Sequence, residues 1–342
     1  MAYQGAAYSP KQLQLAFKAE STIGTGIVSS MQRIDVDSVE MPGLNPLQVF
    51  DMRQGDGRVL QTADAYIDED LQLKEISFSG TADSTSLPLL LQNITNSAQR
   101  AASGGSVPAA YVVPDSFQPS TILNGASGSS IINTCTVAIL SPSSGADIYF
   151  PGCRLTSLQI SGDMGTENGR VKVSGSFSTA FTAVTGQDIS SPAAWGTTKY
   201  YMHSFSNAQV AGVSDCMMQS FSINIENPVQ YLGFVTESSK REPQAIAMAI
   251  PELSCSIDAT MKYDDNTDNL DAIFAAGTAV TNQLANHGTW HTATSFGFYS
   301  KKSYITSLGF SEAGAQMVDV SLKCAADASG SAPDDSLFEI IA

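Results

Sequence analysis

Positive charge is what this sequence has least of. Its 17 Lys and Arg face 33 Asp and Glu, a formal net charge of −16. Tight binding to nucleic acid needs basic side chains that displace counterions from phosphates, so a chain of this balance can meet DNA without holding it. Long apolar runs are missing too. Nothing approaches the roughly 18 consecutive apolar residues that a membrane-spanning helix requires. The opening MAYQGAAYSPKQLQLAFKAE has no basic segment followed by an apolar block, so no secretion signal is expected. The five cysteines, Cys135, Cys153, Cys216, Cys255 and Cys324, are odd in number and scattered, with no C-x-x-C pair. They read as reduced, partly buried small hydrophobes. Asn93-Ile94-Thr95 matches a glycosylation sequon, which carries no weight without secretion.

Catalytic signatures are equally scarce. No G-x-S-x-G elbow occurs. His287 and His291 have the i, i+4 spacing of two metal ligands on a helix, but Gly288 and Thr289 oppose that helix and no Glu follows His287. The run Asp264-Asp265-Asn266-Thr267-Asp268-Asn269 resembles the start of a calcium loop. It lacks the glycine of the sixth position and has Ala275 where the twelfth should be Glu. The glycines between Gly162 and Gly169 precede no Gly-Lys-Ser/Thr and read as a hairpin turn. Trp195 and Trp290 read as core or interface. Lys240-Arg241 and Lys301-Lys302 read as solvated pairs or partners of a neighbour's acids. The expectation is a protein without catalytic residues, cofactor or metal.

What is present is β-sheet. Hydrophobic residues make up 43% of the chain, enough for a core, and the polar-apolar period is mostly two. Val171, Val173 and Phe177 share one parity against Lys172, Ser174 and Ser176; Leu253, Cys255, Ile257, Ala259 and Met261 share another face. Two helices are expected. Leu87–Ile94 has Pro88 in its first turn. Asn269–Ala276 stops at Gly277, with Thr267 or Asp268 as cap. Segment 101–130 is rich in Gly, Ser and Pro and reads as a long excursion, and 326–336 as a solvated spacer.

The chain also repeats itself. Strand 76–80, helix 87–94, strand 136–140 and hairpin 154–178 recur in order as strand 255–259, helix 269–276, strand 295–299 and hairpin 304–324. The offset is 179 at the first strand (76 to 255) and 150 at the hairpin (156 to 306), so the first copy carries 29 extra residues before its hairpin, about the length of the excursion. Thr156-Ser157 returns as Thr306-Ser307, Leu158 and Ile160 as Leu308 and Phe310, and Val171 and Val173 as Val318 and Val320. Two readings stand here: a duplication, with units 1–212 and 213–342, or two unrelated hairpins alike because amphipathic hairpins are alike.

Three segments carry a resemblance to a known family. Lys18, Glu20, Gly24 and Thr25 in KAESTIGT are similar to a K-x-E-x-x-x-G-T opening. FPGCRLTSL, residues 150–158, resembles an F-x-G-C-x-x-x-S-L strand whose hairpin returns through Val171, Val173, Ser174, Gly175 and Phe177. FSINIENP, residues 221–228, resembles a strand ending in an x-I-x-N turn. In this order they resemble the tail tube proteins of long-tailed bacteriophages. The resemblance implies a mostly β fold, a β-sandwich or half-barrel with a flanking helix and long hairpins, here duplicated. It implies homo-oligomeric rings whose hairpins join edge to edge around a bore and stack into the hollow tube of the virion tail. Six domains per ring then means three duplicated chains, a trimer in preference to a hexamer. Further partners would be the tape measure, terminator and distal tail proteins, with transient, non-specific passage of DNA and no membrane. Assembly would take place in the host cytoplasm.

On this reading the inner-barrel residues are Thr156, Ser157, Gln159, Asp163, Glu167, Lys172 and Ser174 in the first hairpin, and Thr306, Ser307, Asp319 and Ser321 in the second. Lys18 and Glu20 are assigned to ring contacts. Small polar and acidic side chains suit a wet bore that does not trap phosphates. The alternatives are another β-rich virion component, a tail terminator, decoration protein or adhesin-like module, or an enzyme of unknown chemistry.

Overall fold

Period-two segments become strands whose apolar parity turns inward, and the turns between them fall at Gly, Asn and Asp. The computed structural model describes residues 10–43, 48–50, 65–67, 73–96, 99, 109–114, 121–123, 134–143, 145–189, 192–214, 216–233, 242–243, 245–248, 253–264, 267, 269–286, 296–312, 316–327 and 336–342. Most of excursion 101–130, His287–His291 with Trp290, Lys240-Arg241 and most of spacer 326–336 lie outside the described residues.

In chain order the strands begin with β1 (Gln14–Ala19), β2 (Gln32–Ile34), β3 (Val36–Val39), β4 (Gln48–Phe50), β5 (Ala65–Ile67) and β6 (Lys74–Thr81), followed by helix α1 (Ser86–Thr95). Then come β7 (Tyr111–Pro114), β8 (Thr121–Leu123), β9 (Cys135–Leu140), β10 (Asp147–Asp163), β11 (Lys172–Thr179) and β12 (Val184–Gln187). The rest of the chain supplies β13 (Phe205–Gln209), β14 (Met218–Glu226), β15 (Val229–Leu232), β16 (Ala245–Met248) and β17 (Ser254–Lys262). Helix α2 (Leu270–Ala276), β18 (Val280–Asn286), β19 (Gly297–Glu312), β20 (Gln316–Ala325) and β21 (Ser336–Ile341) complete it. Both expected helices form within a residue of their expected bounds. The left-handed Gly277 closes α2, and Asn269, rather than Thr267 or Asp268, is its cap.

The main sheet runs β13-β18-β19-β20-β17-β14-β10-β11-β6-β3, antiparallel throughout. One face is apolar: Ile76, Phe78, Leu158, Ile160, Val173, Phe177, Ile223, Ile225, Ile257, Met261, Val318 and Val320 are all buried. Each such side chain contributes about 1.5–3 kcal/mol relative to exposure. Helix α1 covers part of this core through Leu87, Leu90, Leu91 and Ile94. All five cysteines are free, and four are buried in the core. The other face of the sheet is polar.

Strand β10 turns a corner. Its first part pairs with β9 and β12, its second part with β11 and β14. At the corner the fully buried Arg154 donates from Nη2 to Ile94 O (3.0 Å) and from Nη1 to Asn96 Oδ1 (3.4 Å), tying the end of α1 to the strand. Asn227 Nδ2 donates to the same Ile94 carbonyl at 2.6 Å. Asn93 Oδ1 accepts from Leu155 N at 2.7 Å.

The strand order contains the same pattern twice. β19-β20-β17-β14 is followed directly by β10-β11-β6-β3. Outside that path, β1 pairs β9 as β13 pairs β18, β12 pairs β10 as β21 pairs β19, and the β4–β5 hairpin lies between β3 and β6 as β15 and β16 lie between β14 and β17. The ladders slip at matching places. β10 and β19 each carry a bulge, between Leu155 and Ser157 and between Ile305 and Ser307. The residue inside each bulge is a threonine, Thr156 or Thr306, whose hydroxyl donates to the carbonyl of Ser176 or Ser321, both at 3.1 Å. β3 and β14 are bulged as well, between Val36 and Ser38 and between Met218 and Ser220.

These anchors revise the correspondence drawn from sequence. With Thr156 set on Thr306, the cross-strand partners put Val173 on Val318, not on Val320, and Ile76 on Ile257, not on Cys255. A shift of two residues preserves every facing, so apolar alternation could not detect it. The expected strand 295–299 is also revised. Residues 297–299 open β19 itself, which runs unbroken from Gly297 to Glu312, and the strand matching β9 is β18. The extra residues of the first half lie between α1 and β9.

Replacing Asn93 by Leu keeps its branched outline but leaves Leu155 N without its acceptor. An unmade buried hydrogen bond costs about 1–3 kcal/mol. A lowered urea midpoint for the dispersed N93L chain is the expected result.

Candidate functional site: the polar face of the sheet

The face opposite the core is knit by side-chain hydrogen bonds that cross strand after strand. Ser38 Oγ and Ser79 Oγ are 2.8 Å apart, and Ser77 and Ser176 3.4 Å. Ser174 Oγ donates to Gln159 Oε1 (3.3 Å). Gln159 Nε2 donates to Ser222 Oγ (3.0 Å) and Asn224 Oδ1 (2.8 Å). Asn224 Nδ2 passes the chain to Asp258 Oδ2 at 3.0 Å, and Thr260 donates to Asp319 at 2.7 Å. Two shallow depressions lie along it. Ser157, Gln159, Ser174 and Ser176 line one, and Ser307, Gly309, Asp319 and Ser321 the other. Both are open troughs rather than binding cavities, without the enclosing apolar walls of small-molecule sites.

The structure thus brings Ser157, Gln159 and Ser174 together with Ser307, Asp319 and Ser321 on one surface. Thr156 and Thr306 are not simple surface groups, because their hydroxyls serve the bulges. Lys172 shares the face and is neutralised by Asp37 at 2.8 Å. Asp163 ends β10, where its carboxylate accepts from Gly165 N (2.7 Å) and shapes the turn. Glu167 stands in the short 3₁₀ turn Glu167–Gly169 at the hairpin tip. Of the other lysines here, Lys262 lies 3.7 Å from Asp264 and Lys323 is exposed near the end of β20. Sequence reasoning missed the contribution of β14 and β17, Ser222, Asn224, Asp258 and Thr260. Their alternation was visible, but their place beside the first hairpin is a long-range pairing. Among the described residues no group of three or more His, Cys, Asp or Glu could hold a metal ion. Trp195 stacks under the Arg33 guanidinium, 4.6 Å from Cζ to ring centroid.

Glu20, expected at a ring contact, is engaged within its own subunit. Its Oε2 accepts from Gly24 N (3.0 Å) and Thr134 Oγ1 (2.8 Å), and its Oε1 from Thr136 Oγ1 and Gly152 N (both 2.8 Å). All four partners belong to its own chain, so the carboxylate is committed inside the subunit. It pins the KAESTIGT segment to FPGC. Gly24 and Gly152, both at positive φ, lie against the Phe181 ring, where a Cβ on either would collide. Lys18 Nζ donates to Ser30 O at 3.3 Å, leaving the amine at the surface.

Burial pushes the Glu20 carboxyl above its ordinary value of 4.5, against the pull of these four hydrogen bonds. The native state therefore holds the proton more tightly than the unfolded chain. The associated stability is present below pH 4.5 and is lost as pH rises through the raised value. Relative to Glu20→Gln, the wild-type chain should lose thermal stability across that window. A difference in melting temperature that stays flat from below pH 4.5 to neutrality would contradict this.

No curated protein is similar enough to match the chain. A family model described as phage tail tube protein matches residues 10–334. That match covers nearly the whole chain, includes all three segments of the resemblance, and agrees with a mostly β fold built on one large antiparallel sheet. The chain belongs to the phage tail tube proteins.

Proposed function

We propose that this chain forms the wall of the tail tube as a trimeric ring of six equivalent units, with its polar sheet face toward the bore. The two units are β1–β12 and β13–β21. The boundary then falls between Gln187 and Phe205, upstream of the 212/213 division expected from sequence, since β13 pairs with β18 of the second unit. Rings stack head to tail, a heterologous contact that extends into a filament. As a structural component of the virion tail, the tube would meet the tape measure, terminator and distal tail proteins at its ends or in its lumen.

The observation that carries this reading is the polar face itself. It is continuous across both units, made of Ser, Thr, Asn, Gln and Asp, and two of its lysines are paired with carboxylates. Such a surface offers a passing duplex hydration and weak repulsion. It lacks the run of unpaired cations that phosphates need for tight binding. The net charge of −16 acts in the same direction. DNA slides through, and the wall does no chemistry.

Converting that face to a cationic one should therefore retard passage. Asp258→Lys with Asp319→Lys, or Asp163→Lys with Glu167→Lys, is expected to slow DNA ejection from assembled virions at low salt, with recovery as salt rises. Dye-reported ejection kinetics measure it. Unchanged kinetics at low salt for both pairs would place the polar face outside the bore.

A further inference from the structure

The molecule contains, at its own centre, a junction between its two repeated halves. β14, the second strand of the second half, lies against β10, the hairpin strand of the first. The register is Leu158↔Ile225, Gln159↔Asn224, Ile160↔Ile223 and Ser161↔Ser222. At the two ends of the repeat the equivalent strands have no such partner. Among the described residues β3 pairs only with β6, and the segment of β19 beyond Ser303 pairs only with β20.

The bulges set the equivalence without ambiguity. Thr306 on Thr156 fixes β19 against β10, with Phe310 on Ile160 and Ser311 on Ser161. The bulges of β3 and β14 fix Ser38 on Ser220, so Met41 falls on Ile223 and Glu40 on Ser222. The burial of these pairs is opposite. Ile160 and Ile223 are both 0% exposed, whereas Phe310 is 58% exposed and Met41 42%. Two large apolar side chains, Phe310 with one edge against Tyr263 (5.3 Å between ring centroids), are largely exposed at the positions where their counterparts meet each other.

Resting on the tube reading above, we propose that the ring interface is a copy of the internal junction. The edge of β3 and the residues after it, 39–43, lie antiparallel to residues 308–312 of the next chain, with Met41 opposite Phe310 and Glu40 opposite Ser311. Backbone directions fit. Glu40 N donates to Ser77 O on β6 (2.8 Å), so in an extended chain residues 41 and 43 present their amides to the free edge. Pro42, which has no N–H, falls where the missing donor would face β6 and leaves the free edge intact. In the internal junction Asn227 N donates outward to Thr156 O at 2.8 Å, the same parity. A partner other than a second copy would have to reproduce both the register and the apolar pair. The chain carries that complement on its own opposite edge.

The test is disulfide trapping in the full chain. Glu40 and Ser311 take the places of Ser222 and Ser161, whose side chains point to the polar face. The bond from Asn227 N to Thr156 O makes that pair a hydrogen-bonded one, so by alternation Ser222 and Ser161 form a non-hydrogen-bonded pair, the kind with the closest Cα approach. Glu40→Cys with Ser311→Cys should cross-link under mild oxidation into covalent multimers ending at a closed ring. Glu40→Cys with Gly309→Cys, a two-residue slip, should stay at the background of the parent chain. Phe310→Asp should abolish pelletable polymer while the dispersed chain still folds and melts cooperatively, with at most the small loss that its ring contact to Tyr263 accounts for. Tubes that form normally but never cross-link between the cysteines introduced at positions 40 and 311, or that tolerate Asp at 310, would overturn this register and leave the tube reading standing. A parent chain that stays monomeric at every concentration would overturn the tube reading, and this interface with it.

Discussion

Everything in this fold depends on one strand serving two sets of neighbours. β10 leaves β9 and β12 and enters the ladder between β11 and β14 within a few residues. A ladder cannot change partners without leaving backbone groups unmatched, and each unmatched buried group is expensive. The corner is where the buried polar side chains collect. Asn93 takes the amide of Leu155, Arg154 takes the carbonyl at the end of α1, and Glu20 takes the amide of Gly152. Thr156 binds across the bulge to Ser176 O. The FPGCRLTSL segment is thus a set of instructions for a corner. Its glycine allows positive φ against Phe181, its arginine holds the helix, and its threonine closes the bulge.

That requirement recurs in β19, which changes neighbours from β18 and β21 to the single partner β20. The second corner keeps the threonine bulge but has Ser303 and Tyr304 where the first has Cys153 and Arg154. The bond to a helix end has been replaced by a hydroxyl pair, Ser300 and Ser303 at 3.0 Å. Two bulged strands in each half, at matching positions, are harder to obtain by convergence than alternation is, since any half-buried strand alternates.

Alternation was what the sequence made legible. Strand 74–81, both hairpins, α1 between Ser86 and Thr95 and α2 before Gly277 follow from period, proline and glycine placement. The polar face could be drawn from Ser157, Gln159 and Ser174 because one parity of a strand is one surface. What periodicity could not fix was register. A slip of two residues leaves every side chain on its face, so Val173 matched Val320 as comfortably as Val318. Nor could it show that 297–312 is a single strand, since no glycine, proline or asparagine marks the change of neighbours around Ser303. The intrachain partners of Glu20 were illegible for a different reason. A charged residue beside a strand end normally faces water, and only the distant Thr134, Thr136 and Gly152 make its burial tolerable.

An exposed sheet edge invites pairing with any strand, including a copy of itself, and the two free edges here differ in a way that bears on which pairing wins. The β3 edge is acidic. Asp35, Asp37 and Glu40 lie within six positions; Asp35 and Asp37 are held by Lys199 and Lys172, both at 2.8 Å, so the like-charge cost of laying two β3 strands antiparallel falls mainly on Glu40. On its polar parity the β19 edge presents Ser307, Gly309 and Ser311, which carry no charge. Like charge at Glu40 weighs against β3 on β3, while the proposed β3 on β19 would set acid beside hydroxyl and bury Met41 with Phe310. A pairing of unlike edges cannot stop at two chains, because each addition leaves one edge of each kind. It ends only by closing on itself. If the proposed pairing holds, the difference between the two edges favours a closed ring over a dimer built on one edge.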